Sequence, residues 1–428
     1  KMLQEKSSWR LPMRLLFGLV VSTIVIILIL RYDFSDSEYS DMINSHCNNL
    51  EPFQRDIRSI IPICISDWRN RSKAFIRNKN ISQLGENLQS CNEGMLIGEP
   101  LRSLFHQPHF AYRFFPYWSY VLWQNDFYGT NRCLKYFVVP DRANDYWKAQ
   151  SNKNIKTFSW AKTLTSELNK FLGPVTIPES CAMNRNIKYV KKYEHFEWFL
   201  HPSDAYLLGS LLNKEDDHCE YYGKGNKFLS QPTVNLSIIQ RQHARRIINI
   251  NEVFEEVRNI LYKDSNQSTI ETTLIFEHLS FSEQVRDMRR TDIVIAPHGA
   301  GQTNVAFMRP CSILIEITPF GYKSLFGPLF AETGVIYREL LGEKENSHLL
   351  KNAETSNNIP CKPLYEPIGA EDEEAQRRCF EDKYCRACAR LTELVVNITA
   401  LTVAVKEAWI DRRKCLLRHP FYNEYVVF

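Results

Sequence analysis

The stretch Thr291–Pro319, TDIVIAPHGAGQTNVAFMRPCSILIEITP, decides the fold that the rest of the chain must fit. An apolar run over 292–296 predicts a buried strand, and His298-Gly299-Ala300-Gly301 predicts a tight turn after it. A short helix over 302–308 and a second strand over 312–317 follow. Such a unit points unpaired helix N–H groups at the carboxyl edge of a parallel sheet, where phosphates bind. The glycines would let a ligand approach the backbone; the alternative is a tight turn without a ligand.

The second half of the chain alternates strands with helices around this unit. The predicted strands are 233–240, 272–276, 292–296, 312–317 and 335–339, and the predicted helices between them include 251–263, 281–289 and 323–332. Strict alternation predicts a parallel, doubly wound sheet. Residues 229–345 are therefore predicted to form a Rossmann-like domain that binds a nucleotide.

The regions on either side of this domain have a different composition. Residues 63–228 predict a first α/β domain, whose aromatic stripes are more typical of a core than of a sugar-binding platform. Residues 346–428 predict a cysteine-rich extension with a long amphipathic helix over 391–412. No internal repeat stands out in either region.

The N-terminal end predicts a membrane anchor. Residues 15–31 are apolar up to Arg31, basic residues precede them, and acidic residues follow them. The positive-inside rule then makes 1–14 a cytosolic tail, 32–62 a stem and everything beyond it luminal. The alternative is a cleaved signal peptide, but no run of small residues follows the apolar segment. A short span suits the thinner membranes of the endoplasmic reticulum or Golgi.

Cysteines and glycosylation sequons agree with a luminal chain. Twelve cysteines are many for a cytosolic enzyme. The pair Cys385 and Cys388 could be half a zinc site, but disulfides are favoured because no second pair has suitable spacing. Cys311, at the start of a buried strand, is expected to be a free core thiol. Glycosylation is expected at Asn70, Asn80, Asn266 and Asn397, and not at Asn235, which lies in a predicted buried strand.

Charged side chains near the predicted sheet edge suggest how a phosphate would be held. Arg241, Arg245 and Arg246 directly follow a strand, where forked guanidinium donors could bind a diphosphate; the alternative is a solvated basic loop. Glu316, near the end of its strand, could accept hydrogen bonds from a ribose. His298 could donate to a phosphate or cap the local backbone. Asn304, on the short helix, could reach the ligand or pack against the loop.

Several chemistries lack their motifs. The chain has no D-x-D pair for a metal-bound diphosphate, no G-x-S-x-G nucleophile turn and no G-x-G-x-x-G dinucleotide turn. Arginines and helix N–H groups would then stabilise a leaving diphosphate without a metal or other cofactor. A net charge of +4 on 428 residues gives no indication of a nucleic-acid partner.

An ordered series of residues between 234 and 340 resembles the catalytic core of glycosyltransferase family 61. The series comprises Arg241-x-x-x-Arg245-x-x-x-Asn249, Phe281-x-x-Gln284, the strand at Asp292, His298-Gly299-Ala300-Gly301, Asn304, Phe307 and the strand at Glu316. The chain departs from the family at Gln302, where a leucine is common. The neighbours Arg245 and Arg246 leave the register of the second arginine open by one.

The resemblance implies a GT-B fold, in which two Rossmann-like domains face each other across a cleft and a C-terminal helix returns to the first domain. It also implies an inverting, metal-independent transfer from a UDP-sugar, with xylose or N-acetylglucosamine as the sugar and a glycan or glycoprotein as the acceptor. The implied nucleotide-binding residues are Arg241, Arg245, His298, Gly299, Gly301 and Glu316, and Arg246, Ala300 and Asn304 are further candidates.

Inversion needs a base beside the acceptor hydroxyl. Asp204 and His201 open a predicted helix, and Glu283 stands beside Gln284, so these three are the candidates. Two other hypotheses about function stay open. One is a nucleotide-sugar or glycan-binding protein without turnover, and the other is a disulfide-rich structural ectodomain.

Overall fold

The computed structural model describes a little over half of the chain. The described residues are 93–96, 107–127, 134–139, 157–172, 176–178, 188–190, 198–199, 202–213, 233–324, 326–343, 360–365 and 372–418. The predicted tail, anchor and stem all lie outside these residues. Within the described ranges, no helix has the length and apolar character that crossing a membrane requires.

Strands and helices alternate along most of the described chain. The strands are β1 (Glu93–Leu96), β2 (Leu134–Val139), β3 (Thr176–Pro178), β4 (Lys188–Val190), β5 (Thr233–Ile239), β6 (Ser268–Leu274), β7 (Ile293–Pro297), β8 (Ile313–Thr318) and β9 (Ile336–Leu341). The helices are α1 (Gln107–Phe127), α2 (Thr157–Leu172), α3 (Pro202–Leu212), α4 (Ile250–Ser265), α5 (Phe281–Arg290), α6 (Gly327–Ala331), α7 (Lys362–Tyr365), α8 (Glu373–Glu381), α9 (Lys383–Ala389) and α10 (Ile398–Arg418). A 3₁₀ helix occupies Ala300–Phe307.

The strands form two parallel sheets. The first has four strands in the order β3-β2-β1-β4, and the second has five in the order β6-β5-β7-β8-β9. Every pairing in both sheets is parallel. The predicted mixed α/β class with a parallel sheet in the second half is therefore confirmed.

The strand boundaries follow burial. β7 and β8 lie in the middle of the second sheet and every residue of both is buried, which is why their apolar runs were easy to recognise. β6 is an edge strand with an exposed, polar first half, STIE. It therefore begins four residues before the predicted strand, because a polar edge strand carries little of the hydrophobic signal.

Side chains from alternate positions of β7 fill two separate cores. Val294 and Ala296 face a core shared with α1, α2 and α3 of the first half of the chain. Ile293 and Ile295 face a second core, built with α4 and α10. In the first core, the described helices of the first half pack against α5 and the 3₁₀ helix of the second half, so no open cleft separates the two there. The predicted two-domain arrangement is met only in part.

The first core is rich in aromatic rings. Phe115 stacks on Phe199 at a centroid distance of 4.5 Å and meets Trp198 edge to face at 5.3 Å. Trp160 of α2 meets Phe281 of α5 at 5.8 Å, which joins the two halves of the chain. These rings are almost fully buried. The described parts of the aromatic stripes are thus core, as predicted.

The described residues of the long C-terminal helix pack on α4, β8 and β9. Its predicted return to the first domain stays a prediction. It begins at Ile398 rather than at 391, because Leu394 forms a parallel bridge with Ile247 before the helix starts. Arg412 donates to the buried carboxylate of Asp292 at 2.6 Å.

The described cysteines all form disulfides. Cys311 bonds to Cys415 of α10, so the prediction of a free thiol was wrong. The other two pairs are Cys361–Cys388 and Cys379–Cys385, which answers the question of a zinc half-site in favour of disulfides. These two pairs build a small core with Phe320 and Tyr322. We call residues 360–365 and 372–392, which the two pairs hold together, the cystine lobe.

Candidate functional site

The glycine turn lies at the carboxyl end of β7, where the central strands of the second sheet end. The N–H of His298 donates to the carbonyl of Ile317 at 2.9 Å, which fixes the start of the turn against β8. The N–H of Gln302 donates to the carbonyl of Gly299 at 3.0 Å, and the Gln302 side chain contacts the backbone of Gly299 and Ala296. Gln302, the departure from the family pattern, therefore braces the turn. The predicted short helix is a 3₁₀ helix that begins at Ala300.

Two arginines converge on Gly299. A Cβ atom added at Gly299 would lie 2.5 Å from Nη1 of Arg241 and 3.4 Å from Nη1 of Arg245. Only a residue without a side chain leaves room for both guanidinium groups here. Arg241 reaches this point from the end of β5, the neighbour of β7 in the sheet. The structure thus brings together three of the residues that the sequence predicted for a diphosphate.

Arg245 is held in an unusual position. Its backbone adopts φ 61°, in the left-handed region that costs a non-glycine residue about 1–2 kcal/mol. Its N–H donates to the carbonyl of Thr392 at 2.7 Å, and Nη1 donates to the carbonyl of His298 at 2.6 Å. Its Nε is buried and has no hydrogen-bond partner among the described residues. A donor of this kind is available to a ligand.

The electrostatics around Arg245 favour an anion. Burial, and after it the neighbouring charges of Arg241 and Arg390, lower the pKa of Arg245 to about 9. Burial also lowers the pKa of Arg241, an effect partly offset by the carboxylate of Glu277. Two desolvated like charges side by side are unfavourable without a counter-ion. A bound diphosphate would remove that cost.

Arg246 points elsewhere, which settles the register of the second arginine. Its side chain is half exposed and pairs with Glu393 at 2.6 Å. It does not approach Gly299, so Arg245 is the residue that faces the turn. The predicted diphosphate role of Arg246 does not fit this geometry.

His298 and Glu316 form a buried pair behind the turn. Nδ1 of His298 lies 2.6 Å from one carboxylate oxygen of Glu316, and the hydroxyl of Tyr337 donates to the other at 2.7 Å. Glu316 is 0% exposed, so the predicted contact with a ribose does not fit the structure. His298 is 4% exposed and stacks on Phe326 at 5.2 Å. Its imidazole is therefore anchored in the protein interior, and its backbone carbonyl is what orients Arg245.

Asn304 is also a structural residue in this arrangement. It is 0% exposed, and its Oδ1 accepts from Nε1 of Trp160 at 2.8 Å. Its Nδ2 donates to Gln284 at 2.9 Å. With its amide group used on both sides, Asn304 ties α2 to α5. Of the two alternatives for Asn304, packing fits and ligand contact does not.

A cavity of about 650 Å³ opens in front of the turn. Gln107 and Trp160 line it from the first half of the chain, and Arg241, Gly299, Ala300 and Gly301 line it from the second. A space of this size suits a drug-sized ligand. The cavity therefore joins the arginine corner to the first domain.

Further polar residues line this cavity that were not predicted from the sequence, among them Gln242, His243, Glu277 and His278. Gln242 and His278 are hydrogen-bonded to each other through their side chains. Glu277 is half-buried and has no ion pair or hydrogen-bonded partner among the described residues. The available signal was position, because Glu277 and His278 follow β6 and so reach the same sheet edge as Arg241.

Neither Asp204 nor Glu283, the two predicted base candidates among the described residues, lines this cavity. Asp204 is 0% exposed and accepts a hydrogen bond from Ser119 at 2.6 Å, so an acceptor hydroxyl has no access to it. Glu283 caps α5 by accepting from the N–H of Ser280 at 2.7 Å. The hydrogen bonds from Ser280 lower the pKa of Glu283, which weakens it as a base. His201 lies outside the described residues.

The sequons fall in different settings. Asn266 is exposed at the C-terminal end of α4, where a glycan would meet solvent. Asn397 uses its side chain to accept from the N–H of Ala400 at 2.8 Å and to donate to Glu343 at 2.8 Å, so a glycan there would break the second bond. Asn235 lies inside β5, between two neighbouring strands. Asn70 and Asn80 lie outside the described residues.

Comparison with known proteins gives one family and one distant relative. The sequence model of the family Glycosyltransferase 61 matches residues 108–315, which includes α1, α2 and α3 as well as the turn. Over 118 residues the chain is 33% identical to Alpha-1,3-arabinosyltransferase XAT2 of Oryza sativa subsp. japonica. That stretch covers 26% of this chain and 19% of the relative, so the chain aligns with about a fifth of the curated protein.

The family match ends within β8 and contains both arginines and the whole glycine turn. The series of residues that suggested the family is therefore the same series that builds the corner. Through residues 108–315, just under half of its length, the chain resembles glycosyltransferase family 61.

Proposed function

We propose that the protein is a glycosyltransferase that moves a sugar from a nucleoside diphosphate sugar to a glycan or glycoprotein acceptor. The observation that carries the proposal is the meeting of Arg241 and Arg245 at Gly299, beside a cavity lined from both halves of the chain. Two guanidinium groups, one with a buried donor that no described residue satisfies, form a site for a diphosphate. The family match adds the reaction class.

The donor is proposed to be a UDP-sugar. UDP-xylose and UDP-N-acetylglucosamine come from the family resemblance, and the name of the rice relative adds arabinose. A pentose is therefore the first donor to test.

The proposed reaction is an inverting displacement without a metal. The acceptor hydroxyl oxygen attacks the anomeric carbon, and the bond from that carbon to the diphosphate breaks. The electron pair goes to the leaving diphosphate, whose charge Arg241 and Arg245 stabilise. The hydroxyl proton needs an acceptor, and Glu277 is the carboxylate that the described cavity lining offers. Guanidinium groups take the place that a divalent cation would fill, so added EDTA should leave transfer unchanged.

The proposed setting is the lumen of the Golgi or endoplasmic reticulum, with residues 15–31 as a type II anchor. Three disulfides among the described residues support an oxidising compartment. Protease protection of intact microsomes tests this orientation. Digestion of residues beyond 32 from the outside would contradict it.

The deciding experiment is a donor panel on the purified chain. UDP-xylose, UDP-arabinose, UDP-N-acetylglucosamine and free UDP are titrated by calorimetry, and each donor is then assayed for transfer to an acceptor array and for hydrolysis. We expect UDP and at least one UDP-sugar to bind, and Arg241→Gln to weaken both by about 10- to 100-fold, the usual weight of hydrogen bonds to charged groups. Arg246→Gln is the matched control and should bind like the parent.

The outcomes of the panel separate three functions. Transfer from one donor supports the proposal. Tight UDP binding with no transfer or hydrolysis would favour a nucleotide-sugar-binding protein. Absence of binding to every nucleotide, with Arg241→Gln identical to the parent, would favour a structural ectodomain.

A further inference from the structure

The loop that carries the arginines is completed by residues close to the C-terminal end of the chain. Arg245 donates its N–H to Thr392, and the N–H of Leu394 donates to the carbonyl of Arg246 at 2.9 Å. The N–H of Ile248 then donates to the carbonyl of Leu394 at 3.0 Å. These three bonds form a short parallel pairing that fixes the arginine loop from outside the second sheet.

The segment that makes this pairing leaves directly from the cystine lobe. The N–H of Thr392 donates to the carbonyl of Ala389 at 3.3 Å and its hydroxyl donates to the same atom at 2.8 Å, which turns the chain at the end of α9. Cys388, next to this turn, is bonded to Cys361. The turn therefore has a covalent hold on one side and the arginine loop on the other.

Arg390 lies in this turn, between the lobe and Thr392. It is exposed, and its side chain has no hydrogen bond or ion pair to any described residue. It is close enough to the site that its charge acts on both Arg245 and the hydroxyl of Tyr322. Tyr322 in turn lies against the ring of His298, with a centroid distance of 4.6 Å.

The position of a third unpaired cation beside two others needs an explanation. Like charges repel, and solvent alone gives no reason to collect three guanidinium groups at one sheet edge. Other arginines of the lobe are paired: Arg377 binds Glu374 and Glu381, and Arg386 donates to the carbonyl of Phe380. Arg390 differs from them because it is exposed and lies two residues before Thr392, whose carbonyl accepts the N–H of Arg245.

We propose that Arg390 is a third guanidinium ligand of the diphosphate, presented to the site by the cystine lobe. This inference rests on the proposed function. It adds that the nucleotide site is not confined to the second sheet, because a segment stapled by two disulfides supplies one of its cations. The lobe would then contribute to binding as well as to packing.

The test compares Arg390→Gln with Arg378→Gln in the full chain. Arg378 belongs to the same lobe, its side chain is 61% exposed, and it lies 3.6 Å from Glu374. The substitution Arg378→Gln therefore removes the same charge without removing the proposed contact. UDP and uridine are titrated by calorimetry at several KCl concentrations. We expect Arg390→Gln to raise the Kd for UDP by about three- to ten-fold, leave the Kd for uridine unchanged, and reduce the salt dependence of UDP binding.

A merely structural role would give a different pattern. Arg390→Gln would then shift the thermal midpoint and weaken uridine and UDP alike, and that result overturns the proposal. The proposal is also overturned if Arg390→Gln keeps a Kd for UDP within two-fold of the parent while Arg241→Gln weakens UDP binding strongly. If neither Arg241→Gln nor Arg390→Gln changes UDP binding, the proposed function fails together with this inference. Arg390→Lys, which keeps the charge, should recover part of the loss.

Discussion

Nδ1 of His298 lies 2.6 Å from the carboxylate of Glu316, and both side chains are almost wholly withdrawn from solvent. The pair links the first residue of the glycine turn to β8, the neighbouring strand, and the hydroxyl of Tyr337 donates to the second carboxylate oxygen. The turn is thus shaped from behind by a histidine and a glutamate, while the arginines approach it from the front. This division of labour leads to separate predictions for the two sets of residues.

Glu316→Gln should act on stability first. Its amide cannot accept from both His298 and Tyr337, so a buried donor or acceptor loses its partner at a cost of about 1–3 kcal/mol. We expect a lower free energy of unfolding, measured in urea, and a rise of only a few-fold in the Kd for UDP. Unchanged stability with a Kd raised ten-fold or more would instead mean that Glu316 touches the ligand.

Gly299→Ala should weaken UDP binding through Arg241. The added Cβ would lie 2.5 Å from Nη1, so the guanidinium must move away from the turn. We expect a Kd about ten-fold higher, as for a lost hydrogen bond to a charged group. In the double variant with Arg241→Gln, the two effects should be far from additive. Full additivity would show that the methyl group acts on something else.

UDP binding should fall at high pH because of Arg245. Burial, together with the charges of Arg241 and Arg390, lowers its pKa in the folded protein to about 9, well below the ordinary value of an arginine. The charged form therefore costs stability below pH 9, and this cost disappears as the pH rises above about 9. A diphosphate binds the charged form, so binding takes up a proton above pH 9 and weakens there.

The measurement compares the parent with Arg245→Gln from pH 7 to pH 10. Titration of the nucleotide itself is the same for both and cancels in the ratio of the two Kd values. We expect the Kd of Arg245→Gln divided by the Kd of the parent to fall toward one above pH 9. A ratio constant over the whole range would mean that Arg245 keeps its charge, or that it does not meet the ligand.

Glu277→Gln should separate binding from transfer. Removing a carboxylate that acts electrostatically on Arg241 leaves the diphosphate one less competing anion, so UDP binding should stay equal or tighten. Loss of the proton acceptor should lower kcat by about 10²- to 10⁴-fold. Glu283→Gln, which alters only the cap of α5, is the control and should keep its kcat. A normal kcat in Glu277→Gln would place the base elsewhere.

The disulfides should also differ in whether they act mainly on stability or mainly on UDP binding. Cys311→Ser with Cys415→Ser opens a bond that spans 104 residues and fastens α10 to β8, so the free energy of unfolding should fall by about 2–5 kcal/mol. Cys361→Ser with Cys388→Ser loosens the cystine lobe. Of the two double variants, it should cause the larger rise in the Kd for UDP and the smaller drop in the thermal midpoint. The opposite result would show that the lobe does not contribute to the site.

Much of the fold could be predicted because its central strands are continuous apolar runs. Ile293–Pro297 and Ile313–Thr318 are buried on both faces, and such strands have the strongest sequence signal. Arg241 and Arg245 were found because they directly follow a recognisable strand. Glu277 and His278 were missed although they follow the predicted strand 272–276, because neither belongs to a recognised motif.

Other errors came from side-chain direction, which residue type does not reveal. Glu316 and Asn304 are polar residues at a sheet edge, as a ligand site needs, yet both turn inward to satisfy other buried groups. Cys311 pairs with a residue 104 positions away, and no local pattern encodes such a pairing. Leu394 and its neighbours were predicted as helix because the local sequence does not reveal their tertiary pairing with the arginine loop.

The pairing of Thr392 with Arg245 has a consequence for how the chain is made. The two partners are 147 positions apart, the same separation as in the neighbouring contact between Arg246 and Glu393. During synthesis, both sheets can form before this later segment has left the ribosome and while its cysteines are still reduced. A newly made chain would thus bind a nucleotide fully only after the segment has emerged and its disulfides have formed.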